Sequence, residues 1–163
     1  MEKWDLYDKD RNKTNRIGIR GQKIHDDLYH LVVDVWIINS HGEFLLTKRS
    51  ANKSFPNLWT MCGGAAIQGD SSLLAALREV EEEIGIRLRS QASQLVTSLR
   101  REDMSPKSFK DVWLFQADFS IDQVTCQPGE VQEAAWFSQD QIKEMVSDGR
   151  FIGVLRYLNK ILD

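Results

Sequence analysis

The chain has 163 residues, 42% of them hydrophobic and 28% charged, with a formal net charge of −3. That length suits one domain of about 100–200 residues, and the composition excludes a disordered chain or one gripping nucleic acid or anionic membrane through excess Lys and Arg. Cys62 and Cys126 form neither a disulfide framework nor a zinc knuckle, Met-Glu-Lys-Trp-Asp carries no apolar signal region, and no apolar run reaches the roughly 20 residues of a membrane helix, so a reducing, cytoplasmic setting is expected.

In chain order, turn formers Asp8, Asp10 and Asn12 separate Trp4-Asp-Leu-Tyr7 from Thr14-Asn-Arg-Ile17, which predicts a short hairpin within residues 1–27. Residues 29–38 are rich in β-branched and aromatic side chains and read as a buried strand, with 43–48 returning after the Asn39–Gly42 turn. From Ser71 to Ile84 the pattern changes: Leu73, Leu74, Leu77, Val80 and Ile84 recur at three- and four-residue spacings, which is helical. Asp70, Ser71 and Ser72 offer N-caps, and Gly85 ends the helix. Residues 95–99, 112–119 and 131–137 read as strands, 139–146 as a helix capped by Ser138, and 151–162 as a closing helix. Irregular interleaving of strands and helices predicts an α/β sandwich rather than a doubly wound sheet. Trp36, Trp113 and Trp136 are expected in the core, with Trp4 and Tyr7 packing on the sheet.

The 71–84 helix concentrates the chemistry. Glu79, Glu82 and Glu83 stand at i, i+3 and i+4, so their carboxylates share one face and repel unless a cation binds there. Mg²⁺ pairs a few carboxylates with substrate phosphates; a solvated acidic face is the plainer alternative. Arg78 is spaced to contact Glu82, and Gly63 and Gly64 upstream permit a tight turn and close ligand approach. The segment Gly64–(5)–Asp70–(7)–Arg78-Glu79-Val80-Glu81-Glu82-Glu83-Ile84-Gly85-Ile86 resembles the Nudix box, Gly-x5-Glu-x7-Arg-Glu-U-x-Glu-Glu-x-Gly-U, where U is aliphatic. Eight fixed positions over residues 64–86 match, and Asp70 replaces the first Glu.

The resemblance implies one Nudix domain over 1–163, an α/β/α sandwich with a mixed sheet and a loop–helix–loop box. It implies a pyrophosphohydrolase that uses Mg²⁺, with Mn²⁺ the alternative, to cleave a diphosphate linkage in a nucleoside diphosphate derivative or related small phosphorylated metabolite. Glu79, Glu82 and Glu83 would hold the metal, and Arg78, Glu79 and Glu82 would serve catalysis. Glu79, Glu130 or Glu133 would act as base. Lys48 and Arg49 could receive phosphate, Gly63 and Gly64 would admit the substrate, and Asp70, roughly 1.3 Å shorter than Glu, would cap the helix or reach the metal through water. Neither nucleic acid nor membrane is an expected partner, and the protein would be a monomer or homodimer.

Trp4-Asp-Leu-Tyr-Asp8, Arg20, His30, Leu46-Thr-Lys-Arg49 and Phe55-Pro-Asn-Leu-Trp59 are similar to the branch that includes isopentenyl-diphosphate isomerase and its hydrolase relatives. The isomerase Cys falls on Gly63 and a following His on Ala65, so its set is incomplete, with Cys62 one residue away. Cys62 and His30 are therefore expected to be buried packing residues, with His25 and His30 the weaker metal alternative. An isomerase and a non-catalytic nucleotide-binding domain remain the competing readings. The 100–110 loop, basic through Arg100, Arg101, Lys107 and Lys110, would suit a phosphorylated ligand or face solvent.

Overall fold

The structure, a computed structural model, describes residues 1–163. The N-terminal segment pairs as the expected antiparallel hairpin of β1 (Lys3–Tyr7) and β2 (Lys13–Ile19). Asp8 organises its turn, accepting from the backbone N–H of Asp10 and Asn12, each at 2.9 Å. Trp4 and Leu6 are buried, Trp4 stacks on His30 with ring centroids 4.2 Å apart, and the backbones of Tyr7 and Tyr29 pair at 2.8 and 2.9 Å. The hairpin is thus docked on the sheet by its aromatic residues.

The remaining strands, β3 (His30–Ile38), β4 (Phe44–Arg49), β5 (Trp59–Thr60), β6 (Cys62–Ala65), β7 (Ser93–Arg101), β8 (Ser108–Gln116) and β9 (Val131–Phe137), form a mixed seven-stranded sheet. β3 is its centre. It runs parallel to β8 through nine residue pairs and antiparallel to β6, which explains its nearly continuous burial. β3 meets β4 only at Ile38 and Phe44. The sheet therefore divides into one arm of β6, β3, β8 and β7 and another of β5, β4 and β9.

Two cores flank the sheet. On one side α1 (Ser72–Ile84) buries Ala75, Ala76, Val80 and Ile84 against Val33, Val35, Ile37 and Leu45. Burial of each larger aliphatic chain contributes roughly 1.5–3 kcal/mol, and the alanines permit close approach. On the other, α2 (Gln139–Ser147) places Ile142 and Met145 against Trp36, Phe44, Leu46 and Tyr157. Ser138 and Gln141 complete a capping box at α2. Together these layers form the expected α/β/α sandwich. No helix is long and apolar enough to cross a membrane.

Three expectations change. The strand expected at 112–119 begins at Ser108 and ends at Gln116, because its register is set by β3. The closing helix is a short 3₁₀ segment, Leu155–Lys160, preceded by pairing of Phe151 with Trp59. Ile152, Leu155, Leu158 and Ile161 repeat every three residues, the 3₁₀ period rather than the α period. The 100–110 loop is mostly strand, and its tip spans only residues 102–107.

Candidate functional site

Beside the glycine strand β6 lies a cleft of about 760 Å³ lined by residues of both sheet arms, α1 and the hairpin. Glu79, Glu82 and Glu83 all line it. The helical i, i+3 and i+4 relation expected for them is met because α1 is regular throughout: Ser71 Oγ accepts from Leu74 N–H at 3.1 Å, and Gly85, at φ 69°, ends the helix with its N–H on the Glu81 carbonyl. Burial and the Glu82 charge push the Glu79 carboxyl up to about 7, against the pull of Arg78. Burial and the Glu79 charge push Glu83 up to about 8, with the Cys62 thiol and the Gly63 N–H drawing it back. Desolvation penalises the charged form of an acid, and two neighbouring carboxylates add to the effect.

Arg78 Nη1 bonds Glu79 at 3.1 Å and both oxygens of Glu82 at 3.3 and 3.2 Å. No three acidic side chains converge on one point, since Glu79 and Glu82 both turn to this guanidinium. Arg78 itself does not line the cleft; it stands as the residue that orients the carboxylates.

Asp70 is neither the helix cap, a role taken by Ser71, nor a cleft residue. Its buried carboxylate takes Arg78 Nε at 3.1 Å, Arg78 Nη2 at 2.9 Å and the Ile67 N–H at 3.1 Å. With the Ala65 carbonyl also accepting from Arg78 Nη2 at 3.1 Å, the guanidinium is fixed from behind. The shorter side chain suffices because the acid, just ahead of the α1 cap, needs to reach only Arg78, eight residues on.

Gly63 and Gly64 lie in strand β6, not in a tight turn. A Cβ at Gly64 would stand 2.5 Å from the Glu79 Cδ, and one at Gly63 would stand 2.3 Å from the Val33 carbonyl oxygen. The consequences differ, because a side-chain terminus moves more readily than backbone. Gly64→Ala is expected to fold with Glu79 displaced and activity down by about 10-fold or more. Gly63→Ala is expected to break β3–β6 pairing and lower the melting temperature by several degrees. Thermal melts beside rate measurements distinguish the two.

The other expected residues divide. Arg49 lines the cleft, its Nε held by the Ser54 carbonyl at 2.7 Å, whereas Lys48 lies outside it with its ammonium 5.8 Å from the Trp59 ring centroid. Of the Lys48–Arg49 pair, only Arg49 is presented to the cleft. Glu130 lines the cleft and is paired with Lys53; Glu133, on β9 opposite Lys48, does not line it. Cys62 is fully buried, and burial together with Glu83 pushes its thiol well up. His30 lies under Trp4 with Nδ1 unpartnered, and burial lowers it to about 4. His25 is exposed and paired with Asp27. Neither histidine lines the cleft.

Sequence reasoning missed Asp34, Lys53 and Glu2, which reach the cleft from β3, the β4–β5 loop and the chain start, and the exposed Phe55 and Met104 on loops of opposite arms. The alternation of His30, Val32 and Asp34 on one face of β3 could have pointed to Asp34; nothing local marks the others.

The NUDIX domain model matches residues 28–153. An uncharacterised Nudix hydrolase of Listeria monocytogenes is 33% identical over 165 aligned residues, covering 100% of this chain and 95% of that protein. An isopentenyl-diphosphate Delta-isomerase of Citrobacter koseri is 31% identical over 86 residues, covering 51% of this chain and 47% of the isomerase. The crystal structure of DR0079 from Deinococcus radiodurans shares the fold at a TM-score of 0.75 and 23% identity, covering 96% of each chain.

Proposed function

The chain belongs to the Nudix hydrolase family, and from that premise we propose that it is a divalent-metal-dependent pyrophosphohydrolase acting on a nucleoside diphosphate derivative or a related small phosphorylated metabolite. The family acts on diphosphate bonds and generally uses divalent metals. The observation that carries the reading is the pair of partly desolvated carboxylates, Glu79 and Glu83, beside Glu82 in one cleft on the box helix.

These three are hard oxygen donors whose mutual repulsion a cation relieves, so the donor set fits Mg²⁺ or Mn²⁺. A bound ion would neutralise phosphoryl oxygens and acidify a coordinated water. Arg78 orients Glu79 and Glu82, and Asp70 holds Arg78. Glu79 takes the proton as water adds to phosphorus and the bridging P–O bond breaks, with the leaving phosphate carrying away the electron pair. Glu130 is the other base within the cleft. The isomerase reading, favoured by the Citrobacter similarity, lacks support from the site: Cys62 is buried, and Gly63 and Ala65 offer no acid or metal ligand. The non-catalytic reading loses its motive, because Asp70 is employed on Arg78.

Phosphate release from nucleoside di- and triphosphates, nucleotide sugars, dinucleoside polyphosphates and isopentenyl diphosphate, with Mg²⁺, with Mn²⁺ and with EDTA, tests the proposal. Metal-dependent turnover of at least one compound is expected; binding without turnover anywhere would sink it. The pH dependence has a definite sign. Glu79 and Glu83 are raised in the fold above their unfolded value, so their contribution to stability is present at low pH and is lost as pH rises through about 7 and about 8. The ordinary value of both is 4.5, so the metal-free melting temperature should fall between about pH 4.5 and 8 and level off above that. Mg²⁺ should reverse that fall and bind more tightly as pH rises, because it must displace those protons. A melting temperature with the opposite pH trend would contradict the assignment.

A further inference from the structure

A chain of buried polar groups runs from the second core into the same cleft. Asp34 and Lys110 stand on adjacent parallel strands, β3 and β8, with Val32 opposite Lys110 and Asp34 opposite Val112. Lys110 Nζ donates to Asp34 Oδ1 at 2.9 Å, and the Tyr157 hydroxyl donates to Asp34 Oδ2 at 2.7 Å. Trp36 Nε1 donates to that hydroxyl at 3.1 Å. Asp34 is 6% exposed and Tyr157 1%. An ion pair at this depth is weak evidence for stability, because desolvation offsets most of the attraction. Its position suggests another purpose.

Asp34 and Lys110 both line the cleft that holds Glu79, Glu82 and Glu83. Lys110 has three N–H donors and spends one, on Asp34. Arg101, on neighbouring β7, also lines the cleft; its Nε and Nη2 are spent on Asp103 at 2.9 and 3.0 Å, leaving Nη1. Tyr157 occupies the second oxygen of Asp34, so that oxygen is not presented to an incoming anion.

We infer that Lys110, with Arg101 on the neighbouring strand, forms an anion subsite for one of the substrate's linked phosphates, and that Asp34 and Tyr157 are positioning residues that hold the Lys110 ammonium. The inference rests on the hydrolase reading for its substrate, a compound with two linked phosphates, but the subsite can be probed without turnover. The C-terminal 3₁₀ segment gains a role here: it delivers Tyr157 to the back of the subsite.

The probe is methylenediphosphonate, a diphosphate analogue whose P–C–P bridge is not hydrolysed, titrated into the full chain with Mg²⁺ by calorimetry. Lys110→Met is expected to weaken binding at least about 10-fold, as loss of a charge-assisted contact does. Mn²⁺ affinity without the diphosphonate should change by less than about twofold. Lys110→Arg should recover part of the loss. Tyr157→Phe keeps the ring that packs the core and should weaken diphosphonate binding about threefold, with KM for a turned-over substrate rising and kcat little changed. A merely structural Tyr157 would lower the melting temperature and leave diphosphonate affinity untouched. Should the hydrolase reading fail, turnover would be absent while the Lys110→Met loss in binding persisted. Unaltered diphosphonate affinity in Lys110→Met, or no binding by the unsubstituted protein, would overturn the subsite.

Discussion

Glu82→Gln is expected to lower kcat by about 10²–10³-fold while leaving the melting temperature within a few degrees of the parent. The two halves of that expectation come from different features. Glu82 is 48% exposed at its side chain and its hydrogen-bond partner is Arg78, so an isosteric amide removes little folding energy. Functionally it is one of three carboxylates that line the cleft on the box helix, and an amide has no charge to offer a divalent ion. Glu81→Gln serves as the control. Glu81 lies on the same helix, is equally exposed at 48%, and pairs with Arg87 at 2.7 Å rather than facing the cleft. Steady-state rates and thermal melts on both variants suffice. Equal activity in Glu82→Gln and the parent would remove catalysis from this helix.

Asp70→Ala should damage both stability and activity. The Asp70 side chain is 7% exposed and supplies two of the bonds that fix Arg78, plus the acceptor for the Ile67 N–H. Removing one partner of a largely buried ion pair costs about 3–5 kcal/mol where the other charge is stranded. Here Arg78 keeps Glu79, Glu82 and the Ala65 carbonyl, so a loss of about 2 kcal/mol is the better expectation, or roughly 4–8 °C in melting temperature for a domain of this size. Freed on one side, Arg78 can follow Glu82 into solvent, and Glu79 loses its orientation. Activity should fall about 10–100-fold, the usual range for residues that orient metal ligands. Asp70→Asn keeps an acceptor for Ile67 and should be milder in stability than Asp70→Ala. If Asp70→Ala melts normally and turns over normally, the Arg78 anchor has no role.

The parts whose physics is local were legible in the chain. Spacings of three and four residues set α1, its three cleft carboxylates and its caps; strand alternation and Asp-rich turns set the hairpin and β3; and the box carried the family. The rest depends on residues far apart in the chain. Asp34 meets Lys110 and Tyr157 only because β3 and β8 pair in parallel and the last turn packs behind them. No pattern within a window of residues marks a contact of that separation. Lys48 and Arg49 read as a pair in sequence, yet in the fold Arg49 reaches the cleft while Lys48 turns to Trp59. Asp70 read as a cap because caps are the usual use of an acid before a helix; Ser71 had already met the free N–H, which left the acid to Arg78. The closing segment has a period of three that suits a 3₁₀ turn, and its purpose, holding Tyr157 beneath Asp34, exists only in the folded chain.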